Sequence, residues 1–200
     1  RELQTAFRRY VRDMNLRGEF AVEVGDVPRK IVERAAWVDL VALSLVRESG
    51  PPTETGYGSD FGQILQRSPR PVLAVPEEAD SHLDRGLLAY DGSPKADEAL
   101  YAAAYFARNW ALDLAVLSVG PGAAKTLEKA RQYLQGRGVT AEYVAADGPI
   151  LEAILDTAAS YERNFLMMGG HGYRPVLQIV VGSTVDKVLQ HFHQPIFICR

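Results

Sequence analysis

Two stretches of this chain are one pattern written twice. Residues 58–75 read GSDFGQILQRSPRPVLAV and residues 182–199 read GSTVDKVLQHFHQPIFIC, at a constant offset of 124. Gly58 and Ser59 fall on Gly182 and Ser183, Leu65 and Gln66 on Leu189 and Gln190, and Pro71 on Pro195. Each copy reads as a helix opened by Gly-Ser, a break at proline, and a short apolar strand. A repeat of this length exceeds a solenoid unit, which runs about 20–45 residues, and suits a whole domain. The expectation is two tandem domains, residues 1–80 and 81–200.

The second copy is complete as a pattern. Apolar strand signals at 86–90, 114–119, 139–144, 165–169 and 195–199 alternate with helical signals after Pro94 and at 125–135, 150–161 and 183–192. Five strands separated by four helices predict an α/β fold with a doubly wound, parallel five-stranded sheet. The first copy has less. A basic amphipathic helix over 1–16, a strand at 19–24, a helix at 28–36, a strand at 39–45, a helix at 60–66 and a strand at 71–75 leave three elements unmatched. These are the first strand, the first helix and the second strand, and in such sheets the first strand sits centrally. The chain also opens on Arg1. The expectation is a chain that lacks roughly 40 residues at its N-terminus, about one βαβ unit.

Composition excludes several classes. A hydrophobic content of 47% supports a buried core, and a net charge of −3 gives no reason to expect nucleic acid or an acidic membrane as partner. No apolar run approaches the roughly 20 residues of a membrane span. The single cysteine, Cys199, excludes an intrachain disulfide and fits a reducing, cytoplasmic setting.

The segment with most chemistry is MGGHGYRPVLQIVVGSTV, residues 168–185. A strand ends at Gly169, Gly172 follows, and Gly182-Ser183 opens a helix, with Thr184 next. Glycine lets a ligand approach bare backbone, and a helix N-terminus offers unpaired N–H donors with partial positive charge. At the carboxyl end of a parallel strand these features make an anion site, suited to a nucleotide polyphosphate. The same residues also serve ordinary turn and cap chemistry. The segment is not a P-loop, because no Gly-Lys-Ser/Thr follows four variable residues.

At these residues the sequence resembles the universal stress protein family. Its nucleotide-binding members share G-x2-G-x9-G-(S/T), met here by Gly169, Gly172, Gly182 and Ser183, and an aspartate turn matched by Tyr90-Asp91-Gly92-Ser93. The resemblance covers residues 84–200 and, in degenerate form, 17–78. It implies a flavodoxin-related, Rossmann-like α/β fold that binds ATP, alone or with Mg. It further implies Asp91 at the adenosine, Val119 near adenine, and Gly169, Gly172, Gly182 and Ser183 around ribose and phosphates, with Thr184 beside them. In the first copy two registers are open. Aligning the strands puts Ser44 and Arg47 at the first two glycine positions, and holding the 124 offset puts Leu45 and Glu48 there. Neither supplies a glycine, so that half is expected to bind ATP weakly or not at all.

Other residues have plainer readings. His171 reads as loop surface, and Arg174 either reaches a phosphate or is a solvated charge. His191 and His193 complement the end of a helix. Met167, Met168 and Cys199 read as core, with Cys199 an inert thiol. Asp91 either meets the ligand or caps the next helix. The two closing strands, from Pro71 to Val75 and from Pro195 to Cys199, are expected to pair, within the chain or between copies. The expected function is a nucleotide-dependent regulatory or stress-response protein rather than an enzyme. The alternatives are a slow ATP hydrolase or phosphotransferase, and a nucleotide-free dimerising module.

Overall fold

A computed structural model describes residues 2–45, 59–79, 82–170 and 184–199. In chain order the elements are α1 (Glu2–Asp13), α2 (Val27–Ala35), β1 (Val41–Leu45), α3 (Ser59–Arg67), β2 (Val72–Pro76), β3 (Arg85–Ala89), α4 (Pro94–Trp110), β4 (Asp113–Val119), α5 (Ala123–Gln135), β5 (Glu142–Ala146), α6 (Ile150–Ser160), β6 (Phe165–Gly169), α7 (Thr184–His191) and β7 (Ile196–Cys199). The seven strands form one sheet in the order β1-β2-β7-β6-β3-β4-β5. From β3 to β7 the strands are parallel, and the first of them, β3, lies between β4 and β6. This is a doubly wound arrangement, with its order reversing at β3.

The near-continuous apolar strands explain why helices cover both faces of this parallel block. Leu88, Val116, Met167 and Phe197 face a layer made by α4 and α5, with Leu100, Ala103, Leu127 and Leu134. Leu87, Leu117, Leu166 and Ile198 face α6 and α7, with Ile154, Val188 and Leu189. Met167, Met168 and Cys199 are all buried, and burial pushes the Cys199 thiol up to about 12, which keeps it protonated and inert.

The closing strands lie side by side. β2 pairs antiparallel with β7 through Val72–Ile198, Leu73–Phe197 and Ala74–Ile196. Each is therefore flanked on both sides, and the open edges of the sheet are β1 and β5. Across this join the core on the α6–α7 side is continuous, taking in Leu45, Phe61, Val72 and Ala74.

Two expected strands differ from those observed. Residues 19–24 form no strand. Their counterpart β5 pairs with β4, and the described residues before β1 contain no strand to play the part of β4. An apolar alternation without a neighbouring ladder has nowhere to place its backbone donors. The strand expected at 139–144 begins later, at Glu142. Val139 instead closes α5: its N–H reaches the Leu134 carbonyl at 3.0 Å, past Gly138 at φ +69°. It acts as the apolar residue of a helix stop, and it is buried as such.

Candidate functional site

The carboxyl ends of β3, β4 and β6 open into a cleft of about 240 Å³. Its walls come from five places in the sequence. The β3–α4 turn supplies Asp91 and Ser93, the end of β4 supplies Val119, and the first turns of α6 supply Ile150 and Ile154. The end of β6 supplies Gly169 and Gly170, and the start of α7 supplies Thr184 and Val185. It lies on both sides of the strand-order reversal, where open α/β sheets take their ligands.

The β3–α4 turn is built by its own side chains. The Asp91 Oδ1 accepts from the Ser93 N–H at 2.9 Å, and Gly92 takes φ +77°, a conformation glycine adopts without strain. Ser93, not Asp91, caps α4, its hydroxyl accepting from the Ala96 N–H at 3.2 Å, with Pro94 in the first turn. Asp91 does not cap α4; it holds the turn through one oxygen and lines the cleft.

Gly169 has a packing role. A Cβ there would come within 2.7 Å of the Lys95 carbonyl carbon and the Ala96 nitrogen, so the N-terminus of α4 sits directly on the end of β6. Gly170 continues the ladder by donating its N–H to the Cys199 carbonyl.

Behind the turn, Tyr90 is buried, and its hydroxyl donates to the Asp97 Oδ1 at 2.6 Å. Lys129 of α5 donates to both Asp97 oxygens at 2.8 and 2.7 Å. Burial first, then the Asp97 carboxylate, push the Tyr90 phenol up to about 12. Burial also works against ionisation of Asp97, but hydrogen bonds from Lys129 and Tyr90 outweigh it and hold the carboxyl below its ordinary range. Lys129 is raised in return, chiefly by its bond to Asp97.

Of the residues singled out from sequence, Asp91, Val119, Gly169 and Thr184 meet in this cleft. Gly172, Gly182, Ser183, His171 and Arg174 lie outside the described residues. Ile150 and Ile154 escaped notice because apolar residues in a helix read as core. The signal for them was positional: a helix following a parallel strand starts at the sheet's carboxyl end. The His191 Nδ1 donates to the Lys187 carbonyl, 2.8 Å away, within its own helix. Strand pairing also settles the register in the first half. Gly169 pairs with Cys199 as Ser44 pairs with Val75, so Ser44 stands at the first glycine position. No helix of the described residues is long and apolar enough to cross a membrane.

Comparisons with known proteins agree with this geometry. The sequence model of the universal stress protein family matches residues 120–200. The chain is 27% identical over 167 residues to universal stress protein Slr1230 of Synechocystis, covering 81% of this chain and 58% of that protein's length. It is 27% identical over 143 residues to universal stress protein YxiE of Bacillus subtilis, covering 57% of this chain and 97% of that one. In fold it is similar to a universal stress protein from Archaeoglobus fulgidus, with a TM-score of 0.86, 23% identity, and coverage of 100% of this chain and 77% of the other. A universal stress protein solved in complex with cAMP aligns with 60% of this chain and 98% of its own, at TM-score 0.54 and 18% identity. The C-terminal part of the chain, residues 120–200, thus matches the universal stress protein family, and the fold is similar to that of solved universal stress proteins.

Proposed function

We propose that the cleft of residues 81–200 binds an adenine nucleotide, and that the protein is a cytoplasmic stress-response regulator whose partner contacts depend on the bound nucleotide. The observation that carries this is the convergence of Asp91, Val119, Gly169 and Thr184, from four separate stretches, on one cleft at the strand-order reversal. The chemistry of the lining fits the ligand in parts. Val119, Ile150 and Ile154 form an apolar slot suited to a planar base. The Asp91 carboxylate accepts hydrogen bonds from ribose hydroxyls. Thr184 and Val185 bring the N-terminus of α7, the positive end of its dipole, to where phosphates would lie. The cAMP complex of a structural neighbour is consistent with a nucleotide in this fold.

In this reading binding is the activity, and any hydrolysis of ATP is slow and secondary. Asp91 already spends one oxygen on its own turn, which suits it to orient a ligand rather than to move a proton. Denaturing the purified protein and identifying any released nucleotide by mass is the first test. Titration calorimetry with ATP, ADP, AMP and cAMP then ranks them. Asp91→Ala is expected to weaken the preferred nucleotide about tenfold, the scale of one hydrogen bond to a charged group. Unchanged affinity in Asp91→Ala would remove this cleft from consideration.

A further inference from the structure

Tyr90, Asp97 and Lys129 join elements that the cleft needs in fixed relation. Tyr90 follows the last residue of β3, and its N–H extends the ladder to the Leu117 carbonyl at 2.8 Å. Its side chain turns away from Asp91 into the α4–α5 layer, where the hydroxyl meets Asp97 in the first turns of α4. The covalent path from Tyr90 to Asp97 runs through the Asp91–Ser93 turn and the Ser93 cap. The hydrogen bond back from Asp97 to Tyr90 therefore closes a ring around that turn. Lys129 then ties the ring to α5, the helix that follows the end of β4 and Val119. Two further contacts fit this. Lys129 Nζ stands 5.8 Å from the centre of the Tyr90 ring, and a Cβ on Gly92 would sit 3.4 Å from the Thr126 methyl of α5. The turn bearing Asp91 is held from α4 and from α5 at once.

We propose that the Tyr90 hydroxyl and Lys129 position Asp91 through Asp97, and so set the affinity of the cleft for the ribose-bearing part of its ligand. This rests on the nucleotide reading above. A side chain that must meet a hydroxyl within a few tenths of an ångström benefits from a support whose own rotamers are locked. Tyr90→Phe removes the hydroxyl and keeps the ring. Lys129→Met removes the charge from an exposed position and keeps the stem, and Lys129→Arg restores the charge.

The test is a double-mutant cycle read by ATP titration calorimetry, with hydrogen exchange at the Ser93 amide as a second readout. Tyr90→Phe and Lys129→Met are each expected to weaken ATP about five- to tenfold, with Lys129→Arg recovering most of the loss. In an Asp91→Ala background the same two changes are expected to cost almost nothing more, because residues that act through one another are non-additive. Exchange at Ser93 N–H, which is bonded to Asp91, should quicken in Tyr90→Phe. Equal losses with and without Asp91, or no loss at all, would overturn the proposal. If the unmodified protein binds no ATP while Ser93 exchange still responds to Tyr90→Phe, the nucleotide reading falls and the clamp on the turn stands. Should Tyr90→Phe melt at a much lower temperature, the surface variant Lys129→Met carries the cycle alone.

Discussion

Helices α1 and α5 carry the same apolar pattern at the 124-residue offset and meet opposite fates. Leu127, Ala130 and Leu134 of α5 are buried, Leu134 completely, against β4 and β5. Their counterparts in α1 are Leu3, Ala6 and Tyr10, and Leu3 is 78% exposed and Tyr10 60%. The amphipathic spacing specifies a helix with one apolar face. What lies opposite that face is a property of the sheet. Under α5 two strands are paired, and under α1 the described residues offer none. Ser44 and Gly169 make the same point at one atom. Gly169 must lack a Cβ because α4 sits on it, whereas Ser44 is exposed, with no helix in the corresponding place among the described residues.

The comparison can be broken at the join. Phe197 lies in the sheet opposite Leu73 on one side and Met167 on the other, and its ring packs edge-on against Phe106 at 5.3 Å. Phe197→Pro removes a backbone donor and the ring together, and is expected to cost well over about 3 kcal/mol. Denaturant melts should show the loss, and protease should cut within residues 2–79 first. An unchanged midpoint would mean that the β2–β7 ladder holds nothing together.

The helix pair sharpens the contrast. Leu134→Ala should destabilise by about 2–5 kcal/mol, and Tyr10→Ala by no more than about 0.5 kcal/mol. Matching losses in urea titrations would show that α1 has a cover in solution. The glycine pair gives the smallest effect. Gly169→Ala is expected to cost about 1–3 kcal/mol, because α4 must shift off β6, and Ser44→Ala close to nothing. Thermal melts of the two variants decide it, and equal midpoints would remove the packing role of Gly169.

Much of the fold was legible in the residues. Apolar runs such as those in β4 and β6, short and bounded by turn residues, read as buried strands, and Pro94 after Ser93 reads as a helix start. The cleft was legible where glycine or an acid stood at a strand end, as at Gly169 and Asp91. It was not legible at Ile150 and Ile154, whose chemistry is that of any core residue, nor at the Tyr90–Asp97–Lys129 clamp. That clamp joins residues up to 39 positions apart, and only the packing of α4 beside α5 brings them together.

By itself the sequence determined the doubled pattern, the alternation of strand and helix in residues 81–200, and the glycines and acid that mark the carboxyl end of the sheet. These follow from local propensity and periodicity, which need no partner to be read. The tertiary structure alone decided that residues 19–24 form no strand, that the two closing strands share one ladder, and that α5 is buried where α1 leaves Leu3 and Tyr10 exposed. Hydrogen-bond ladders and apolar contacts exist only between two surfaces, and a sequence describes one surface at a time.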